Sequence, residues 1–134
     1  MREVCAEIDR LYGNEKPTGS DLSGMDDPRA AVVIARFDGQ AVGCGALRPK
    51  SQLIAEVKRV YVRPEARGAG IARAIMGELE QLARAAGFNE IWLETGLPQT
   101  GALRLYESLG YTRIAGFGDY RDEPENVCLG KRLT

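Results

Sequence analysis

VKRVYVRPEARGAGIARAIM, residues Val57 to Met76, runs from an extended segment through a basic, glycine-bearing turn and straight into a helix. Val57, Val60, Tyr61 and Val62 give a dense β-branched and aromatic run, and Pro64 ends it. Beyond it, Gly68 and Gly70 remove Cβ atoms where a ligand would need to approach backbone amides closely. From Ile71 the period changes: Ile71, Ile75, Leu79, Leu82 and Ala86 recur at helical spacing on one face. The first-turn amides of that helix have no partners within it. With a macrodipole of roughly +0.5 charge at the helix start, they form an anion site without any charged side chain. Arg67 and Arg73 add formal positive charge on either side. The stretch is built to hold a phosphate group.

A length of 134 residues with 44% hydrophobic content suits one globular domain with a single core, spanning 1–134. A net charge of -1 offers no general field for nucleic acid or anionic membrane, so partners must be argued from a site. No apolar run approaches the length of a membrane span and Met1 to Arg10 has no signal-type apolar core, which suggests a soluble, cytoplasmic protein. Cys5, Cys44 and Cys128 are odd in number and lack metal-type spacing, so they read as reduced, buried small hydrophobes. Histidine is absent. That excludes Ser-His-Asp and Cys-His nucleophilic catalysis and makes a zinc site an unfavoured reading, leaving a carboxylate, thiolate, lysine or positioned water as general base.

Residues 3 to 12 read as a short amphipathic helix and residues 13 to 29 as loop, either substrate-facing or simply solvated. AVVIARF and QAVGCGALRP flank Asp38 and Gly39, a strong hairpin signal. A third strand near Ala55 to Val62 feeds the anion turn and long helix, which stops at Gly87; NEIWLET is a fourth strand. The helical crossover makes strands three and four parallel neighbours or near neighbours in a right-handed unit. A second helix over about Gly101 to Leu109 closes at Gly110, and YTRIAGF and NVCLGKRL suggest two last strands. The expected architecture is α/β of the α+β type: a mixed, mostly antiparallel sheet with a central parallel pair, flanked by helices.

Several phosphate sites use glycines in this way. A Walker loop needs Gly-Lys-Ser/Thr at the helix start, whereas this chain has Gly70, Ile71, Ala72. The dinucleotide fingerprint finds its first two glycines in Gly68 and Gly70, but Arg73 stands where the third must allow tight helix packing, and RPEAR is too long an insertion. A purely structural glycine turn is the remaining plain reading.

The motif Arg67, Gly68, Ala69, Gly70, Ile71, Ala72 resembles the Q/R-x-x-G-x-G/A turn of the GNAT superfamily of N-acetyltransferases, which cradles the coenzyme A pyrophosphate. LETG at Leu93 to Gly96 and ALRLYESLGY at Ala102 to Tyr111 resemble that family's later strand and helix, so the similarity covers roughly residues 30 to 134. The resemblance implies direct transfer of acetyl from acetyl-CoA, as cosubstrate, to a primary amine of a small molecule or peptide. It also implies the roles. Tyr106 would protonate the departing thiolate or hold its sulfur, and Glu94 or Glu56 would serve as base, Glu94 suiting protein-terminal amines and Glu56 lysine-like ones. Backbone groups of Val60, Tyr61 and Val62 would pair with the pantetheine arm and stabilise the acetyl oxygen, while amides from Gly68, Ala69, Gly70, Ile71, Ala72 and Arg73 would bind the pyrophosphate. Arg67 or Arg73 would reach the phosphates, and Gln99 stands where many members carry an asparagine that bonds pantetheine. Asp21, Asp26, Asp27, Asp119 and Asp122 are candidates to attract a cationic amine, and Phe117 to Tyr120 resembles a loop bordering the acceptor cleft. The same features would also serve a non-catalytic acyl-CoA sensing module. Family members usually place a strand before the first helix, and Met1 to Leu11 leaves no room for it; AVVIARF is therefore expected as an exposed edge, open to a homodimer partner.

Overall fold

The computed structural model describes residues 24–96, 100–116 and 126–133. Strands β1 (Ala31–Phe37) and β2 (Gln40–Pro49) are joined by Asp38 and Gly39 alone, at φ of 51° and 80°. Positive φ at both central positions matches the right-handed twist of the flanking strands, which is why Asp-Gly sits there. β2 pairs antiparallel with β3 (Ile54–Val62), and a single 3-10 turn over Pro64–Ala66 leads to α1 (Ile71–Ala85). β4 (Glu90–Gly96), α2 (Thr100–Ser108), β5 (Thr112–Arg113) and β6 (Asn126–Arg132) follow. The sheet order is β1-β2-β3-β4-β6-β5, with β3 and β4 parallel and the other neighbouring pairs antiparallel. This is the mixed sheet with a central parallel pair expected from the sequence, and β1 is an outer strand among the described residues.

The YTRIAGF strand is shorter than its pattern suggests: among the described residues only Thr112 and Arg113 pair with β6, although the Ile114 amide still donates to the Cys128 carbonyl at 2.9 Å. The helix expected over residues 3 to 12, Cys5, Gln99, and the loop Phe117 to Tyr120 with Asp21, Asp119 and Asp122 lie outside the described residues. Among those described, no helix is long and apolar enough to cross a membrane.

Both helices end in the same device. After α1 the amides of Gly87 and Phe88 donate to the carbonyls of Arg84 and Ala83; after α2 those of Gly110 and Tyr111 donate to Glu107 and Tyr106. Gly87 and Gly110 take φ of 92° and 97°, so each helix closes in a Schellman motif that satisfies its last carbonyls. The motif also brings the residue after the glycine onto the last helical turn, and Phe88 and Tyr111 are both buried there.

α1 buries Ile75, Met76, Leu79 and Ala83 against the sheet. It comes close because β2 lacks side chains beneath it: a Cβ on Gly45 would lie 2.8 Å from Ile75 Cγ2 and 2.9 Å from Leu79 Cδ1. Ala55, Val57, Ile91, Leu93, Val127 and Leu129 present the same face of the sheet to one core, which Tyr106 of α2 also enters.

β3 and β4 share a register only over Ile54 to Glu56 and Glu90 to Trp92. Beyond that they part, β3 continuing on β2 and β4 on β6. β3 turns away at a bulge. Its register against β2 shifts between Cys44 and Ala46, and Arg59 adopts φ of 57°. One extra residue bends a strand and sharpens its twist. Val57, Val60 and Val62 thereby all join the core face, although strict alternation cannot place them together.

Candidate active site

The turn after β3 leaves the start of α1 open. Gly68 and Gly70 have φ of 86° and 80°, and a Cβ on either would meet nothing within 4 Å among the described residues. Gly70 is the N-cap; no side chain caps the helix there and no acidic residue lies in the first turn, so the amides of Ile71, Ala72 and Arg73 keep their donor capacity. The flanking arginines both bond to protein groups. Arg67 Nε donates to the Val62 carbonyl at 2.8 Å, and its guanidinium lies 5.6 Å from the Tyr61 ring centre, folding the turn onto the end of β3. Arg73 Nη2 donates to Ser108 Oγ at 2.7 Å, and that hydroxyl donates to the Leu105 carbonyl at 2.6 Å, tying the start of α1 to the last turn of α2.

Val60, Tyr61 and Val62 follow the bulge on the part of β3 that has left β4. The Cys44 thiol donates to the Arg59 carbonyl at 3.3 Å, which helps to satisfy the irregular backbone. Cys44 and Cys128 are buried and reduced.

Tyr106 is 7% exposed, and its burial pushes the phenol from 10.0 to about 12. It therefore remains a proton carrier at neutral pH. The two glutamates lie on the other side of the sheet. Ala55, Val57 and Leu93 share the core with Tyr106, so by strand alternation Glu56 and Glu94 point to the opposite face. β3 and β4 pair only as far as Glu56 and Trp92, so Glu94 and the part of β3 beyond the bulge flank the place where the two strands part. Glu56 is buried, and one of its oxygens, Oε1, accepts from Arg48 Nε at 3.1 Å and Nη2 at 3.0 Å. Glu94 is half-buried opposite Cys128 in the β4 to β6 register, with Cys128 Sγ 4.0 Å from its Oε2. Asp27 accepts from the Arg29 amide at 2.8 Å and faces its guanidinium at 3.6 Å.

Three features were not read from the sequence. The Arg59 bulge had a signal, since Val57, Val60 and Val62 at spacings of three and two break a strand's alternation. The Arg48 partner of Glu56 depends on register, as the two stand directly opposite across β2 and β3. Glu80, on the buried face of α1 at 6% exposure, accepts from Tyr111 Oη and Lys131 Nζ, each at 3.0 Å, and lies 3.7 Å from Arg84. A lone acid in an apolar helical stripe gave no hint of its partners.

Residues 2–111 match the acetyltransferase (GNAT) family model. An IAA acetyltransferase of Azospirillum brasilense is 35% identical over 136 residues, covering 98% of this chain and 89% of the relative. A Klebsiella pneumoniae structure assigned to the acyl-CoA N-acyltransferases superposes with a TM-score of 0.83 at 32% identity, covering 98% and 90% of the two chains. A GNAT family acetyltransferase of Elizabethkingia anophelis, solved with acetyl-CoA bound, shares the fold at a TM-score of 0.69 and 18% identity over 88% of this chain and 95% of its own. The chain belongs to the GNAT acetyltransferase family.

Proposed function

We propose that the protein transfers the acetyl group of acetyl-CoA directly to a primary amine. The observation that carries this reading is the parting of β3 and β4 beside Val60 to Val62, on the strand that runs into the open amides of α1; Tyr106, a buried and protonated phenol, shares the core with Val60 and Val62. Pyrophosphate suits the amides from Gly68 to Arg73, where the glycines leave room for close approach and the helix start favours negative charge. The pantetheine arm lies along Val60 to Val62, whose backbone is released from β4, and an amide there stabilises the developing oxyanion.

An alkylammonium is almost wholly protonated at pH 7, and forming the neutral amine costs roughly 4 to 5 kcal/mol. Glu94 takes that proton. Glu56 already commits an oxygen to two Arg48 donors, so it orients charge on the same face rather than accepting the proton. The amine nitrogen then bonds to the carbonyl carbon, the carbon–sulfur bond breaks, and the departing thiolate takes the proton of Tyr106. The nitrogen's surplus proton returns through solvent to Tyr106, and Glu94 releases the proton it took to water, so one proton is set free for each acetyl transferred.

Thermal melting with acetyl-CoA, NAD and ATP tests the ligand, and release of CoA thiol across a panel of amines, polyamines, amino acids and peptides tests the reaction. Stabilisation by acetyl-CoA and turnover on a primary amine are expected. Stabilisation by NAD alone, or acetyl-CoA binding without turnover on any class of amine, would overturn it.

A further inference from the structure

Tyr111 is held in three ways. Its amide closes the Schellman motif on the Tyr106 carbonyl at 3.0 Å, and its ring meets the Tyr106 ring edge-on, with centres 5.9 Å apart at 66°. Its hydroxyl donates to Glu80 Oε2 across the gap to α1. The first two do not need the hydroxyl, and a phenylalanine at the same place would supply both. The third requires a hydroxyl at 111 and an acceptor at 80.

Glu80 is an unexpected choice for a core position. A buried carboxylate is costly unless charged and hydrogen-bonding partners surround it. Here Tyr111 and Lys131 each take one oxygen, Arg84 approaches from the next turn of α1, and Lys131 Nζ lies 5.6 Å from the Tyr111 ring centre. An apolar side chain would fill the same place without this demand. What the carboxylate adds is direction: it fixes where the Tyr111 ring lies, and that ring is a wall of the Tyr106 site.

We propose that Tyr111, tethered by Glu80, is a positioning residue that sets the place and orientation of the Tyr106 phenol. The proposal rests on Tyr106 as the acid for the leaving thiolate. Glu80 links three elements, α1, the residue after α2, and β6, so the helix that begins at the phosphate turn also sets the proton donor. Burial first, and then the charge and hydrogen bond of Glu80, push the Tyr111 phenol well above its ordinary range, so its hydroxyl remains a donor throughout the working pH range.

Tyr111→Phe in the full chain keeps ring, volume and helix ending and removes only the tether. Expected is a three- to tenfold fall in kcat for CoA thiol release, with the KM for acetyl-CoA within twofold. With 13C-labelled tyrosine, the Tyr106 signal, identified by its loss in Tyr106→Phe, should titrate below its wild-type midpoint; among the described residues Glu80, Arg84 and Lys131 are charged groups facing the pair. The double variant should be no slower than Tyr106→Phe alone. Glu80→Gln keeps an acceptor for the hydroxyl and should retain kcat within about threefold, whereas Glu80→Ala should match Tyr111→Phe. A Tyr111→Phe protein with lowered melting temperature but unchanged kcat and an unmoved Tyr106 midpoint would show a tie that only stabilises, overturning the proposal. If Tyr106→Phe itself left kcat unchanged, the acid assignment would fail instead, and the Tyr106 titration would still decide whether Tyr111 positions the ring.

Discussion

Tyr106 couples stability to pH in a direction fixed by its burial. Its pKa is about 12 in the fold against 10.0 for an exposed phenol, so the folded chain holds this proton more tightly than the unfolded one. The sign follows: this contribution is complete below pH 10 and is lost as pH rises through 12, a change of roughly 2 to 3 kcal/mol. Urea unfolding at pH 9 and pH 11.5 should show that loss, and Tyr106→Phe should shrink it. The same variant should lower kcat tenfold or more with little change in acetyl-CoA affinity, because a phenyl ring keeps the packing and removes the proton. The carboxylates separate in the same manner. Glu94→Gln should reduce kcat and leave a rate that climbs with pH as the amine deprotonates unaided. Glu56→Gln removes the charge that Arg48 pairs with, so it should cost about 1 to 3 kcal/mol of stability, visible in thermal melts, as well as some activity. Restored activity of Glu94→Gln at neutral pH would transfer the base role elsewhere. Tyr106, Glu94 and Glu56 were named as candidates through the resemblance to the GNAT family, because they fall at matching positions of its strand and helix motifs. Arg48 and Glu80 were not, because a cross-strand partner and a buried tie depend on residues distant in sequence, whereas the Arg59 bulge left a trace in the spacing of Val57, Val60 and Val62.

Between elements, glycines decide how closely α1 approaches the sheet. Gly45 lies beneath Ile75 and Leu79 at distances a Cβ cannot share, so Gly45→Ala should push the helix outward and destabilise by about 1 to 3 kcal/mol. Gly77 is the counter-case. It lies exposed within the same helix, a Cβ there meets nothing within 4 Å among the described residues, and Gly77→Ala should stabilise by about 0.5 to 1 kcal/mol. Paired melts of these variants test whether α1 is seated by contact with β2; equal effects of the same sign would contradict that seating. The element boundaries themselves were well marked in the sequence, since Asp38-Gly39, Gly87 and Gly110 all take the positive φ their positions demand. The last strands were less so. β5 is two residues long because, among the described residues, only Thr112 and Arg113 hold a ladder register with β6, and a sequence pattern shows which residues suit a strand, not how many find a neighbour.

At the scale of the whole molecule, the sheet is two antiparallel sections, β1-β2-β3 and β4-β6-β5, joined in register over three residues of each central strand. Beyond that seam they are linked by α1 and α2, through Arg73 with Ser108 at one level and Glu80 with Tyr111 and Lys131 two helical turns further along. Where β3 and β4 part, their facing edges no longer pair with each other, and a strand edge of that kind accepts an extended ligand in strand fashion. Acetyl-CoA bound as proposed would bridge the sections, with its pantetheine on Val60 to Val62 and its pyrophosphate on the α1 amides. Any ligand that binds only the folded state stabilises by RT ln(1 + [L]/Kd), about 2.7 kcal/mol at a hundredfold excess over Kd. Hydrogen exchange locates that stabilisation. Saturating acetyl-CoA should slow exchange most at residues 57–62 and 68–73, less at 93–96, and leave the β1 to β2 hairpin near its unliganded rate. Gly70→Asp, which sets bulk and negative charge against the amides, should abolish the pattern and weaken binding at least tenfold by calorimetry. Normal affinity in that variant, or protection confined to the hairpin, would place the coenzyme away from the seam.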